Sequence, residues 1–219
     1  MKKLILTIAV VVSIFALHIS CYAGEVPLEV REAGIQGISI FLKDTRIKGL
    51  HRLGFESKAD IDDAAIGQGF QVFTIPTDQL LNDLNAEDFQ SLATPTNLWQ
   101  LLVLNGKKAN ALLTVDLVDG KWTPVEMGAS GLAKELSMIL EAWPETSGYQ
   151  YRLIRVYQAK SAFVELSQDD KLIGIVPLTS LNAAIDEQKK GFDPIDIQDA
   201  KEVLGKLRPA VRRNVHSEQ

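Results

Sequence analysis

The residues around Ser130 are the first place to look for chemistry in this chain, because a serine set among glycines can be an activated nucleophile. The run 128–131 reads Gly-Ala-Ser-Gly. A nucleophile elbow needs one glycine two residues before the serine and another two residues after it, whereas here the second glycine follows Ser130 directly. Beyond residue 18 the histidines that could serve as a base are His51 and His216. We therefore interpret Ser130 as the start of a helix and predict no catalytic residue.

Two groups of aspartates could supply oxygen ligands to a cation. The first comprises Asp60, Asp62 and Asp63, and the second comprises Asp193, Asp196 and Asp199. Neither group has the twelve-residue calcium loop with its central glycine and terminal glutamate. Acidic side chains in the first turn of a helix are stabilised by the helix dipole, which accounts for both groups without a metal. We predict neither a metal site nor a cofactor.

Three aromatic residues are candidates for ligand binding, namely Phe70, Trp99 and Trp122. Aromatic side chains on an open sheet face often form binding surfaces, and Trp122 lies next to a predicted hairpin turn. The alternative is that all three side chains are buried in the core. Trp143 continues an apolar helix stripe and is assigned to the core.

The first 23 residues are typical of an export signal. Lys2 and Lys3 precede an apolar run at 4–17, and small residues follow near Ala23. Cleavage after Ala23 would release a free protein that starts at residue 24. The run before Cys21 also resembles a lipoprotein signal, in which that cysteine is acylated, although His18 stands where an aliphatic residue is expected. Both alternatives predict a periplasmic or extracellular protein, which is tethered to the membrane in the second case.

Composition excludes several classes of protein. The chain has 46% hydrophobic residues, so it is not disordered, and its formal charge of −5 argues against a nucleic-acid partner. Its single cysteine, Cys21, excludes disulfides within the fold. The one basic cluster is interpreted as a charge-complemented helix end and contains Lys206, Arg208, Arg212 and Arg213.

Hydrophobic periodicity predicts an α+β fold. Extended runs at 98–104, 109–118 and 121–127 are joined by Asn105-Gly106 and Asp119-Gly120, which are typical hairpin dipeptides. An amphipathic helix at 132–143 follows, and then extended runs at 151–158, 162–166 and 172–178. We expect an antiparallel sheet of about six strands with this helix packed across it. Helices are predicted at 27–45, 180–189 and 196–207, and a further strand at 70–75.

The domain prediction is a signal peptide at 1–23, a mixed helical segment or subdomain at 24–95, and an α+β core with C-terminal helices at 96–219. The leading functional hypothesis is an exported, non-catalytic binding module of the bacterial cell envelope, whose partner is a protein or a small ligand. One alternative is a periplasmic hydrolase that acts on glycans through a carboxylate pair. Another is a structural lipoprotein anchored through Cys21, the only case in which a membrane is a partner.

Overall fold

The computed structural model describes residues 26–43, 47–57, 59–181 and 191–217. The predicted signal and Cys21 lie outside these residues, as does most of the helix predicted at 180–189. The described strands are β1 (Ala64–Thr74), β2 (Thr94–Asn105), β3 (Lys108–Val118), β4 (Lys121–Gly128), β5 (Tyr149–Val156), β6 (Ser161–Gln168) and β7 (Lys171–Pro177). The described α-helices are α1 (Leu28–Lys43), α2 (Ile47–Leu50), α3 (Ala59–Asp62), α4 (Thr77–Asn82), α5 (Ser130–Ala142) and α6 (Ala200–Ser217).

The strands form one mixed sheet in the order β4-β3-β2-β1-β5-β6-β7. The α+β class is confirmed, but the expected antiparallel sheet of about six strands is only roughly right. The sheet of the described residues has seven strands, and its central pair, β1 and β5, is parallel. The difference arises because the segment predicted as a separate N-terminal part supplies β1, which lies between β2 and β5. From β4, at one edge of the sheet, the chain reaches β5 beside β1 through α5.

Helices cover both faces of the sheet. On one face, which we call the α5 face, α5 packs over a core that includes Phe70, Leu112 and Leu153. The other face, which we call the α1/α6 face, carries two separate apolar clusters. One forms beneath α1 around Trp99 and Leu101, and the other forms with α6 around Phe163.

Two glycines that weaken the helix pattern of α1 explain how closely this helix approaches the sheet. A Cβ atom on Gly37 would lie 2.7 Å from Cβ of Pro124 and 2.8 Å from a methyl of Leu113, and one on Gly34 would collide with Leu101. The glycines lower the intrinsic helix propensity by about 1 kcal/mol each. In exchange, the helix backbone packs directly against β2, β3 and β4, which fixes the start of α1 beside the centre of the sheet.

Candidate functional site

The sheet has one short junction, between β1 and β5. Their parallel ladder joins residues 72–74 to residues 153–155, whereas every antiparallel ladder in the sheet joins six or more residue pairs. Near the beginning of β5, an open cleft of about 400 Å³ lies beside the two strands. We call it the seam cleft. It is lined by Val26, Arg31, Gln68, Glu145, Gly148, Tyr149 and Gln150.

The turn before β5 builds one wall of the seam cleft. Pro144 is followed by a single 3-10 turn, Glu145–Ser147, which ends at Gly148 with φ of 84°. The N–H of Gly148 donates to the carbonyl of Glu145 at 2.8 Å. Glycine adopts this left-handed conformation with little strain, so it directs the chain from the turn into β5. The side-chain amide of Gln168 donates to the Ser147 carbonyl at 2.8 Å and fastens the turn to β6.

A side-chain hydrogen bond joins the turn before β5 to β1 across the seam cleft, and another polar atom in the cleft has no partner among the described residues. Nε2 of Gln68, on β1, donates to Oε1 of Glu145 at 2.7 Å. Oε1 of Gln150 is buried and has no hydrogen-bond partner. Arg31 forms no ion pair with any residue that the structure describes. Buried oxygens without a hydrogen-bond partner also occur on Gln100, Asn110 and Gln198, so the Gln150 oxygen is a group that a ligand could pair with and does not by itself distinguish the cleft from the rest of the fold.

A buried ion pair lies on the same strands, further from the cleft. Arg152 of β5 stands opposite Glu165 of β6, and its Nε donates to Oε1 of Glu165 at 2.7 Å. The two side chains are only 11% and 1% exposed, and the guanidinium lies 5.2 Å from the ring centre of Phe73. Burial raises the pKa of the Glu165 carboxyl, against the opposing charge of Arg152. Arg152 lies two residues after Gln150, so both belong to the α1/α6 face.

The chemistry that these groups offer is recognition of a polar ligand. Two neutral amides and one guanidinium can donate or accept several hydrogen bonds within a small volume, whereas the Tyr149 ring packs on Trp143 at the α5 face. Among the described residues that line the cleft, Glu145 is the only one with a carboxylate. In the described part of the chain, no three histidine, cysteine or acidic side chains are grouped so that they could hold a metal.

The three aromatic residues predicted to bind a ligand do not share one surface. Phe70 pairs with Gln100, and Trp99 pairs with the next residue of β1, so their side chains point to opposite faces. Phe70 is 1% exposed beneath α5, and Trp99 is 4% exposed beneath α1. Trp122, on the edge strand β4, is half-buried and packs against the α1 cluster. A binding role for these residues stays a prediction. The three side chains do not lie together on one open face of the sheet, which was the arrangement that the prediction assumed.

The other residues considered for chemistry have structural surroundings. Ser130 is the first residue of α5, as predicted, and follows Ala129, whose φ is 52°. His51 is exposed in a 3-10 turn. Asp60 and Ser57 form a reciprocal cap, because Oδ2 of Asp60 accepts the Ser57 N–H at 2.9 Å and Oγ of Ser57 accepts the Asp60 N–H at 3.3 Å. The backbone N–H groups of Glu56 and Ser57 and the Ser57 hydroxyl lower the pKa of Asp60.

In the second acidic group, Asp193 and Asp199 form hydrogen bonds with nearby backbone N–H groups. Oδ1 of Asp199 accepts the N–H of Glu202 at 3.1 Å and caps the start of α6. Oδ1 of Asp193 accepts the N–H of Ile195 at 3.0 Å in the preceding loop. Nearby, Trp143 donates its indole N–H to the Pro194 carbonyl at 2.9 Å, which agrees with its assignment to the core.

Sequence reasoning missed the residues of the seam cleft. The first five residues of β5, at 149–153, alternate apolar and polar side chains, with Gln150 and Arg152 at the polar positions. Such alternation is typical of a strand with one solvated face. In this protein helices cover part of the α1/α6 face, so the side chains of Gln150 and Arg152 on that face are partly buried. For the buried ion pair further along the strand, the signal available from the sequence was Arg152, a long charged side chain between apolar neighbours.

Comparison of the chain with protein-family models, with curated proteins and with solved structures finds no match. Among the helices of the described residues, none has the length and apolar character needed to cross a membrane. The functional assignment therefore depends on the geometry of the seam cleft and on the sequence.

Proposed function

We propose that this protein is an exported, non-catalytic binding module of the bacterial cell envelope, and that the seam cleft is its ligand site. The observation that carries the proposal is the cleft itself. It lies where the central ladder of the sheet is interrupted, and it gathers Arg31, Gln68 and Gln150, whose side chains can contact a polar ligand. Clefts with a few convergent polar groups are the usual location of ligand sites.

The proposal of export rests on the first 23 residues, with their two lysines, apolar run and small-residue end. Acylation of Cys21 would tether the same module to a membrane and would leave the cleft chemistry unchanged. The glycan-hydrolase alternative requires two carboxylates facing each other across a cleft. Glu145 is the one carboxylate among the lining residues that the structure describes, and its Oε1 accepts a hydrogen bond from Gln68. The binding module is the better-supported function.

Site-specific photocrosslinking in the envelope of the native host tests this proposal. A photoactivatable phenylalanine analogue replaces Tyr149, which lines the cleft, and in a matched control it replaces Tyr157, which is 48% exposed elsewhere on the surface. Because the Tyr149 ring packs edge to face on Trp143, with ring centres 5.2 Å apart, the melting temperatures of both variants are compared with that of the parent protein before crosslinking.

We expect a reproducible covalent adduct from position 149 and none of the same mass from position 157. Gln68→Leu, which removes a polar group of the cleft, should weaken the adduct without changing expression. The proposal is wrong if the two positions give the same adducts, or if position 149 gives none while the folded protein is present in the envelope.

A further inference from the structure

We infer that the seam cleft accepts the C-terminal end of an extended peptide, with its carboxylate on Arg31 and its backbone against the strand edges of the cleft. This inference rests on the proposed function and specifies the class of ligand. Three features of the cleft support it: strand backbone outside the central ladder, closure at one end, and a cation that has no ion-pair partner among the described residues.

The first feature is the strand backbone beside the cleft. Strand β5 begins at Tyr149, four residues before its ladder with β1 begins at Leu153. Continuing the parallel register backwards from Val72 and Leu153 places Gln68 beside Tyr149. The edge of β5 at 149–150, ahead of the contact between Phe70 and Tyr151, therefore lies outside the ladder over about 7 Å. Strand edges outside a ladder present N–H and C=O groups that an extended peptide can pair with.

The second feature is the shape of the cleft. On the α5 face, Phe70 and Tyr151 already contact each other edge to face, with ring centres 6.3 Å apart. Beyond them the ladder at 72–74 closes the junction completely. The two strands thus converge from the cleft towards the ladder, and no chain can pass between them. Such a wedge has room for the end of a peptide and not for the middle of one.

The third feature is charge. Arg31 and Glu145 are the charged side chains among the described lining residues; Oε1 of Glu145 accepts a hydrogen bond from the neutral amide of Gln68 at 2.7 Å and keeps its charge, and Arg31 has no ion-pair partner among the described residues. A guanidinium binds a carboxylate through two parallel hydrogen bonds, which is one of the stronger polar contacts that proteins make. A free carboxylate at the end of an extended backbone is the chemistry of a peptide C-terminus. The half-buried amide of Gln150 lies beside it and can contact the last peptide group.

The test is a titration of the ¹⁵N-labelled protein, followed by the backbone resonances of Gln68, Gly148 and Gln150. The probes are two randomised mixtures of N-acetylated tetrapeptides, one with a free C-terminal carboxylate and one with a C-terminal amide. We expect the acid mixture to shift these resonances and the amide mixture to bind at least tenfold more weakly. Arg31→Gln should remove this preference, Arg31→Lys should keep part of it, and Arg213→Gln, an exposed control on α6, should leave it unchanged.

Equal binding of the acid and amide mixtures would overturn the role of Arg31, and the absence of shifts at the cleft with both would overturn the peptide inference. Crosslinking from position 149 separates this inference from the proposed function. An envelope adduct from that position without any peptide response would leave the binding module standing and would reject a peptide terminus as its ligand. Loss of both signals would reject both.

Discussion

Replacing Arg152 with methionine measures what the buried ion pair contributes to stability. Methionine keeps an unbranched apolar side chain beside Phe73 and removes only the cation. Glu165, which is 1% exposed, would then be a buried charge without its partner. Breaking a buried pair in this way costs about 3–5 kcal/mol of unfolding free energy. In a protein of this size, that loss lowers Tm by roughly 6–20 °C.

The loss of stability should depend on pH, and its direction follows from the pKa of Glu165. Burial raises this pKa above the ordinary value and Arg152 opposes the rise, so removing Arg152 raises it further. A carboxyl whose folded-state pKa exceeds its unfolded value binds more protons when folded, and stability then falls as pH rises through that interval. Arg152→Met should therefore cost least below the unfolded pKa of about 4.3 and most above the raised folded pKa.

Urea unfolding of the parent protein and Arg152→Met at pH 4 and pH 8 gives the two free-energy differences. The double variant Arg152→Met/Glu165→Leu should recover most of the loss at pH 8, because no buried charge remains. Lys108→Met is the control, since Lys108 and Glu56 form a pair whose side chains are 56% and 77% exposed, worth at most about 1 kcal/mol. A loss from Arg152→Met below about 1 kcal/mol at pH 8, or an equal loss at both pH values, would refute this reasoning.

Two further substitutions test other buried contacts by the same unfolding assay. Glu135→Ala should lower the free energy of unfolding by about 1–3 kcal/mol, because this buried carboxylate accepts the Ser180 N–H at 3.0 Å and the Ser180 hydroxyl at 2.9 Å. The control Glu141→Ala changes an exposed residue of the same helix and should alter stability by no more than about 0.5 kcal/mol. Similar losses from both variants would show that the contacts of Glu135 with Ser180 do not stabilise the fold. Gly54→Ala should lower the free energy of unfolding by about 2–5 kcal/mol. An alanine there would be held at positive φ, and its Cβ would collide with the backbone oxygen of Asn110. Gly106→Ala, also at positive φ but with open space around it, should cost only about 1–2 kcal/mol, and the prediction fails if the two losses are equal.

The parts of the fold that the sequence predicts well are those with local signals. Asp119 and Gly120 both have the positive φ values that their hairpin dipeptide indicated; in the other hairpin Gly106 has a positive φ, whereas Asn105 is the last residue of β2 and pairs with Lys108. The helix α5 begins within two residues of the apolar stripe that predicted it. The parallel contact between β1 and β5 has no comparable signal, because its residues lie about 80 positions apart in the chain. The residue types of β1 would suit either an edge strand or a central strand of a sheet, so its position is decided by tertiary packing.

The seam cleft follows from the same parallel contact that sequence reasoning could not reach. The strands β1–β4 form one antiparallel meander and β5–β7 form another, and α5 packs across the junction on one face only. On the other face, α1 and α6 cover separate apolar clusters. Polar residues of the second meander, Gln150 and Arg152, occupy the sheet near its junction with the first, where an apolar core cannot be continuous. A cleft with unused polar groups is the consequence, and for that reason the ligand site of this fold is expected at the junction of the two meanders and not on the aromatic residues beneath the helices.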